Sequence, residues 1–437
     1  MSTTNTPTQS RWTREAIEAF LAREKPRYQR IELPYGLATE GEDRRTSSDS
    51  LLPARLDGKS VLDVGCFLGH FSHESLRRGA ARVTAMELNP DRLRQARTIA
   101  DILGLPIEFV RGDIERGTPP GTFDLVLCLN VVHHLKDPIR GLDNLVRATR
   151  DHLVLEIAGL ENHTARKLLF GRGLLGKVPR PGLERRPLAV IGGGRKARYD
   201  ELFFFTPKAL EHMLLGHRNT VAKVRMRASP FRGRFVVEAW KRRFDDLMLV
   251  CGLPGSGKST VCDRLRSGDL PEFARGLALD RPSEWVFTGP VILDELAEPY
   301  VPRVLFHYDL LRGSALANCG YERDAALDAV DCATRVRAVM VWADPKLLRE
   351  RLEKRWLADH GDDPSPKARR EREERLDFLA SPERLSGLLD EWFAHARAKG
   401  WQLEFLDNSG TLERITRAEF HARAKRAGLA LSDSSSS

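Results

Sequence analysis

A chain of 437 residues, 41% of them apolar, is long enough to bury the cores of two or three domains. No apolar run reaches the roughly 18 residues that a membrane-spanning helix needs, and the polar stretch Met1 to Ser10 predicts no secretory leader. Six cysteines without a C-x-x-C pair argue for a reduced, cytoplasmic protein without structural zinc, and the net charge of +9 invites a search for where the excess lies.

Taken in chain order, the pattern predicts a helix over Ser10–Arg27, with Trp12, Ile17, Phe20 and Leu21 as its apolar positions, and an entry segment at 31–36. Strands are predicted at 60–64, 82–87, 107–111, 123–129 and 151–158, with helices at 71–78, 90–103 and 138–149 between them. Such alternation implies a parallel sheet covered on both faces. The segment 164–198 then carries ten bases against Glu184 alone, an excess equal to that of the whole chain. Two readings stand for it: a patch that attracts a phosphate-bearing partner such as nucleic acid, or a solvated basic loop. A helix at 207–215 and a closing antiparallel pair at 221–227 and 234–241 complete this half, and the charged run Lys241 to Asp246 reads as a break. A second sheet starts with the strand 247–251 and continues at 304–308, 338–342 and 403–406, with a helix at 259–266 and a low-complexity, disordered tail at 432–437. The expected organisation is thus two doubly wound α/β domains, 1–243 and 244–431.

In the first domain the strand Val61-Leu62-Asp63-Val64 runs into Gly65-Cys66-Phe67-Leu68-Gly69, a tight turn that lets backbone N–H groups approach a ligand. Glu87 closes the next strand, where an acid can hold two ribose hydroxyls. Asp113-Ile114 follows the third strand and is placed for an adenine edge; Asn130 and His133 follow the fourth. His133 is either a general base for an acceptor hydroxyl or a residue that only lines the pocket. Together these residues resemble the class I S-adenosylmethionine-dependent methyltransferases, and Leu33-Pro34-Tyr35-Gly36, residues 56–66 and Arg78-Gly79-Ala80 resemble the branch containing the tRNA wobble-uridine carboxymethyl-transferring enzymes. The resemblance covers roughly residues 30–240. It implies a Rossmann-like fold and S-adenosylmethionine as methyl donor, with Asp63, Gly65, Cys66, Gly69, Glu87, Asp113, Ile114 and Asn130 around it. Phe67 stands where many of these enzymes have a glycine.

In the second domain Gly252-Leu253-Pro254-Gly255-Ser256-Gly257-Lys258-Ser259-Thr260 follows an apolar strand and opens a helix. In that context the spacing predicts a phosphate-binding loop: amides converge on phosphates, Lys258 reaches the outer ones and Ser259 ligates Mg²⁺. The form resembles small-molecule and polynucleotide kinases, which implies ATP as the phosphoryl donor and an arginine-bearing helical lid. Residues 342–345 with Leu348 and Leu352 open an arginine-rich helix, and the polar turn Asp359–Ser365 leads to a second charged helix over 368–378; these read either as that lid, with Arg351, Arg355 and Arg370 as phosphoryl clamps, or as surface helices with pairs such as Glu350–Lys354. Asp309 is favoured as the second metal-site acid, with Asp294 as the alternative and Asp280 as an acceptor base. The expected function is a bifunctional transferase acting on a hydroxyl- or phosphate-bearing acceptor such as a glycan end, a nucleic-acid end or a metabolite. The alternative is an RNA-modifying methyltransferase that grips tRNA through 164–198 and uses the loop as a nucleotide-driven switch.

Overall fold

The computed structural model describes residues 12–162, 165, 181–192, 203–217, 220–276, 281–289, 296, 298–311, 325–360 and 365–432. The chain divides into two compact units, Met1–Lys241 and Arg242–Ser437.

The first unit opens with helix α1 (Arg14–Glu24), shorter than predicted because local chemistry stops it at both ends. The Thr13 side chain accepts the Ala16 N–H at 3.2 Å, and Lys25 turns left-handed at φ 45° just before Pro26. Two short strands, β1 (Gln29–Arg30) and β2 (Glu42–Asp43), pair in parallel ahead of helix α2 (Arg45–Leu51). The main sheet takes β3 (Ser60–Val64), β4 (Arg82–Glu87), β5 (Ile107–Arg111), β6 (Phe123–Leu129) and β7 (Thr149–Ala158) in parallel. Strands β8 (Ala189–Ile191) and β9 (Phe203–Phe205) form a separate small hairpin pair. Strands β10 (Val221–Ala228) and β11 (Arg234–Lys241) then join the main sheet antiparallel, giving the order β10-β11-β7-β6-β3-β4-β5. Both faces are apolar. Leu62, Val126, Leu153 and Leu155 pack on one side with Leu142 and Leu145 of helix α3 (Pro138–Ala148), while Val61, Leu125, Leu127 and Val154 pack on the other with Phe71. The strand order reverses between β3 and β6, so a crevice must open at their carboxyl ends.

The second unit holds β12 (Arg243–Gly252), β13 (Val286–Thr288), β14 (Tyr300–Asp309), β15 (Ala333–Trp342), β16 (Gln402–Asp407) and β17 (Glu413–Ile415) in the order β13-β14-β12-β15-β16-β17. All pairs are parallel except β16 with β17. The reversal here falls between β12 and β15. The charged run read as a break is instead the start of β12. Phe244 is 1% exposed, and Asp246 accepts Arg335 Nη2 at 2.7 Å across the sheet. Charge count misled because a strand that alternates charged and buried residues looks like a linker. In this unit β13, β17 and the helix Arg417–Arg426 carried no signal strong enough to predict, while the helix Pro382–Ala398, in the expected helical stretch before β16, buries Leu385, Leu389, Trp392 and Phe393. Asp280, Asp294 and most of the basic segment lie outside the described residues; of its ten bases only Arg185 and Arg186 are within them.

Candidate active sites

At the first crevice the turn after β3 is built from both sides. Gly65 and Gly69 take φ of 73° and 91°, and a Cβ at Gly65 would run into Val131. Phe67 adopts φ 55° without being glycine, a conformation that needs support from its surroundings. That support is visible. The Phe67 N–H donates to Glu87 Oε2 at 3.1 Å, its ring lies 4.8 Å from that of Tyr28, and the Arg92 guanidinium sits 4.5 Å over it. Glu87 also accepts the Asn89 N–H at 3.0 Å, so its buried carboxylate ties the end of β4 to the turn. Gln29 was not predicted, yet its Oε1 accepts the N–H of Leu68 at 3.1 Å and of His70 at 3.4 Å. Leu88, directly after Glu87, exposes a large apolar side chain beside the crevice, a signal available in sequence only once the strand end is known.

Asp63 and Cys66 are buried and point inward. Asp63 accepts the Ser72 hydroxyl at 2.6 Å, and burial raises its carboxyl to about 6; burial also pushes the Cys66 thiol well up. Asp113 receives the Glu115 N–H at 3.0 Å, and Ile114 is buried with its carbonyl accepting from Asn144. Asn130 turns left-handed at φ 59°, and its Nδ2 donates to Glu156 Oε2 at 2.5 Å while its buried Oδ1 has no partner. His133 is 1% exposed, accepts the Ala158 N–H at Nδ1 (3.4 Å), and is held neutral by burial, with its pKa lowered to about 3. That geometry suits a residue that packs the crevice floor and not one that takes a proton from an acceptor.

At the second crevice Gly252, Gly255 and Gly257 have φ of 157°, 80° and 92°. A Cβ on Gly252 would strike the Val341 carbonyl, and one on Gly257 would strike Asn408. Asn408 holds the loop by donating to the Ser256 carbonyl at 2.8 Å, and Arg351 bridges the Gly255 and Asn408 carbonyls at 3.3 and 2.9 Å. The strand register sets Gly252 opposite Asp309. Lys258 is 4% exposed; its ammonium donates to the Leu253 carbonyl at 2.7 Å and lies 3.4 Å from Asp309 Oδ2. Burial lowers the Lys258 pKa and Asp309 opposes the shift. Ser256 Oγ is buried without a partner, and Ser259 Oγ lies 3.3 Å from His307 Nε2. Burial lowers His307 to about 4, so its imidazole is neutral. A cavity of about 670 Å³ joins Lys258, Ser259, Thr260, Asp309, Arg351 and Arg355. It also brings in His307, Arg375 and Trp356, which the sequence reading missed. Arg370 is not there: its guanidinium pairs with Glu374 one helical turn on, at 2.9 Å, because a run of charges every four residues leaves the facing side chain ambiguous. Among the described residues no group of three or more His, Cys, Asp or Glu could hold a metal ion by itself, so a cation at Ser259 and Asp309 would draw on ligand oxygens as well.

Comparison with known proteins bears on the first unit. The family model described as "Methyltransferase domain" matches residues 61–152, the span from β3 into β7 that carries the turn, Glu87, Asp113 and His133. Residues 61–152 form a methyltransferase domain. The mitochondrial ubiquinone biosynthesis O-methyltransferase of Schizosaccharomyces pombe is 31% identical over 115 residues, 26% of this chain and 42% of its own. The ubiquinone biosynthesis O-methyltransferase of Azotobacter vinelandii is 40% identical over 86 residues, 19% of this chain and 37% of its own. The chain thus spans about two fifths of the length of these relatives. Among solved structures, the N-terminal domain of EvdMO1 in the presence of SAH and D-fucose is 18% identical, covering 53% of this chain and 98% of that one with a TM-score of 0.38. Magnesium protoporphyrin IX methyltransferase from Synechocystis PCC 6803 with bound SAH is 20% identical, covering 42% and 75% with a TM-score of 0.31. No helix among the described residues is long and apolar enough to cross a membrane.

Proposed function

We propose that the chain is a two-site transferase, a methyltransferase that uses S-adenosylmethionine joined to an ATP-dependent kinase. One observation carries the reading. In each unit a strand at the reversal of strand order ends in a glycine turn, and the side chain clasping that turn has the charge its proposed ligand requires. Glu87 suits the hydroxyl-bearing, cationic methyl donor, and Lys258 suits a polyphosphate.

In the first unit Glu87 would hold the ribose hydroxyls, Asp113 and the Ile114 amide the adenine edge, and Leu88 the adenine face, with the turn amides and Asn130 toward the methionine part. S-adenosylmethionine supplies an electrophilic methyl group there. In the second unit the loop amides and Lys258 would cradle the phosphates, with the Ser259 hydroxyl and Asp309 at Mg²⁺. Arg351, Arg355 and Arg375 would offset charge on the transferring group, and Mg²⁺ would neutralise phosphate charge. The unpartnered Ser256 hydroxyl inside the loop suits an oxygen-rich ligand. The resemblance to the wobble-uridine branch supports the same fold and donor and assigns no acceptor. The economical sequence of events is phosphorylation of a hydroxyl followed by methylation of the product.

Titration calorimetry tests the two sites separately. S-adenosylmethionine and ATP should each bind the full chain with one site. Glu87→Ala should remove the first and Lys258→Ala the second, without crossing over. Loss of both ligands in either variant, or of neither, sinks the reading. Mass spectrometry of extracts given both donors should then reveal one molecule that gains a phosphoryl and a methyl group together.

A further inference from the structure

The floor of the first crevice is short of proton acceptors. Its buried candidates are engaged: Asp63 accepts the Ser72 hydroxyl, His133 accepts the Ala158 N–H, and Glu156 is taken from both oxygens. Glu156 Oε1 accepts the Ser229 hydroxyl at 2.5 Å, Oε2 accepts Asn130 Nδ2 at 2.5 Å, and Arg234 Nη1 lies 3.5 Å away. Glu156 is 1% exposed.

Guanidinium groups, in contrast, are frequent against the turn and the segments that contact it. Arg92 lies over Phe67, whose ring meets Tyr28. Arg44 sits 5.0 Å from the Tyr28 centroid and 4.5 Å from that of Phe231, and Arg234 lies 5.4 Å over the same Phe231 ring. Cation and ring alternate from the glycine turn, through the N-terminal segment, to the β10–β11 connection. Tyr28 is held left-handed at φ 91° and stays 43% exposed. Within this ladder Arg44 stands apart. It is 3% exposed, its Nη2 pairs with the exposed Glu42 at 2.9 Å, and its Nε is buried with no hydrogen-bond partner. A buried guanidinium with an unused donor is costly unless a ligand completes it.

We infer that the methyl acceptor is an organic anion, a carboxylate or a phosphate ester, whose charge is received by Arg44 beside the ring ladder and whose own oxygen takes the methyl group. The inference rests on the methyltransferase reading of this unit and names its substrate class. The step balances without a base. A lone pair of the anionic oxygen forms the O–CH₃ bond as the CH₃–S bond breaks, and its electrons neutralise the sulfonium to a thioether. One negative and one positive charge disappear together and no proton moves. A neutral hydroxyl acceptor would need a group to take its proton, and His133, Glu156 and Asp63 (whose carboxylate accepts the Ser72 hydroxyl) are placed to hold structure instead. Arg44 is a positioning residue for the acceptor: its guanidinium lies against Tyr28 and Phe231.

The test uses the full chain saturated with S-adenosylhomocysteine and three probes of matched shape: benzoate, phenyl phosphate and phenol. Calorimetry should detect at least one of the two anions and not phenol, and which anion binds more tightly tells a carboxylate site from a phosphate site. Arg44→Gln should weaken that anion by about tenfold, the loss of one charge-assisted hydrogen bond. Arg44→Lys should recover part of it, and S-adenosylhomocysteine affinity should stay unchanged in both, which reports an intact fold. With S-adenosyl-[methyl-³H]methionine, the label should appear in a methyl ester at a rate that is flat between about pH 6 and 9, where no acceptor proton needs removal. Preferred binding or methylation of phenol, binding of none of the probes, or equal anion affinity in Arg44→Gln overturns the inference. Failure of the wild-type chain to bind S-adenosylhomocysteine overturns the methyltransferase reading itself. If Arg44→Gln fails to fold, Phe231→Leu removes one ring of the ladder and must lower anion affinity while sparing the donor.

Discussion

The two glycine turns occupy equivalent places, each leaving an interior strand of its sheet at the point where strand order reverses, yet they are built with opposite charge. The turn at Gly65–Gly69 is clasped by the carboxylate of Glu87, tolerates a phenylalanine in the left-handed region and is walled by aromatic rings. The turn at Gly252–Lys258 keeps glycine at each of its left-handed positions, buries an ammonium and faces arginines. A polyphosphate needs several amides converging at close range, and here the loop is packed so closely that Val341 and Asn408 leave no room for Cβ atoms at Gly252 and Gly257. A nucleoside without a pyrophosphate needs one close approach, so a bulky Phe67 fits where its ring is supported. On the proposed reading the same topology offers a cation-accepting and an anion-accepting crevice, and the clasping side chains decide which: Glu87 at the end of β4 and Lys258 at the start of the helix after the loop.

The largest expected effect separates the two. Lys258→Ala should lower ATP-dependent phosphoryl transfer on the order of a thousandfold, as removal of a charge-stabilising donor does, while methyl-donor affinity by calorimetry stays unchanged. A variant that still turns over ATP would remove the loop from the chemistry. Next, Glu87→Ala should cost about 2–3 kcal/mol of methyl-donor affinity, because it strips hydrogen bonds from a charged acceptor and frees the Phe67 turn; unchanged affinity would disconnect the acid from the donor.

A pH effect of intermediate size falls on the first unit. The His133 pKa is lowered from 6.5 to about 3 in the folded chain by burial. The unfolded chain therefore takes up the proton first, and stability falls as pH drops below 6.5, continuing to about pH 3. At pH 5 the loss is about 2 kcal/mol. His133→Asn should flatten this part of the profile in urea unfolding and leave methyl transfer within a few-fold of wild type. An abolished rate would restore the histidine as a base. The smallest effects probe the turns themselves. Gly257→Ala should destabilise the second unit by about 1–3 kcal/mol, through φ strain and the clash with Asn408. Phe67→Gly should stay within about 1 kcal/mol of wild type, because relief at φ 55° offsets the lost contacts with Tyr28 and Arg92. Equal sensitivity at the two positions would erase the contrast between the two turns.

Much of this was written in the chain itself. Strand–helix alternation marked the two sheets, and the spacing of Gly252, Gly257, Lys258 and Ser259 marked the loop, because both depend on neighbours within a few residues. The strand-end positions of Glu87 and Asp309 were legible for a related reason: each closes an apolar strand, and parallel strands bring such ends to one edge. The limits are equally physical. Charged residues at 243–246 hid a strand because their partners, among them Arg335, are remote in sequence. Helix periodicity could not choose between Arg370 and Arg375, since the face a helix turns to a cavity is set by what it packs against. Gln29, Tyr28, Arg44 and Phe231 gave no motif at all. They reach the first crevice from segments as much as about 200 residues apart, and only the closing of β10 and β11 onto β7 and the laying of the N-terminal segment beside the turn brings them together. Local sequence set the turns and the charges that clasp them. Tertiary packing decided which side chains line the crevices, because lining depends on long-range contacts that no short spacing encodes.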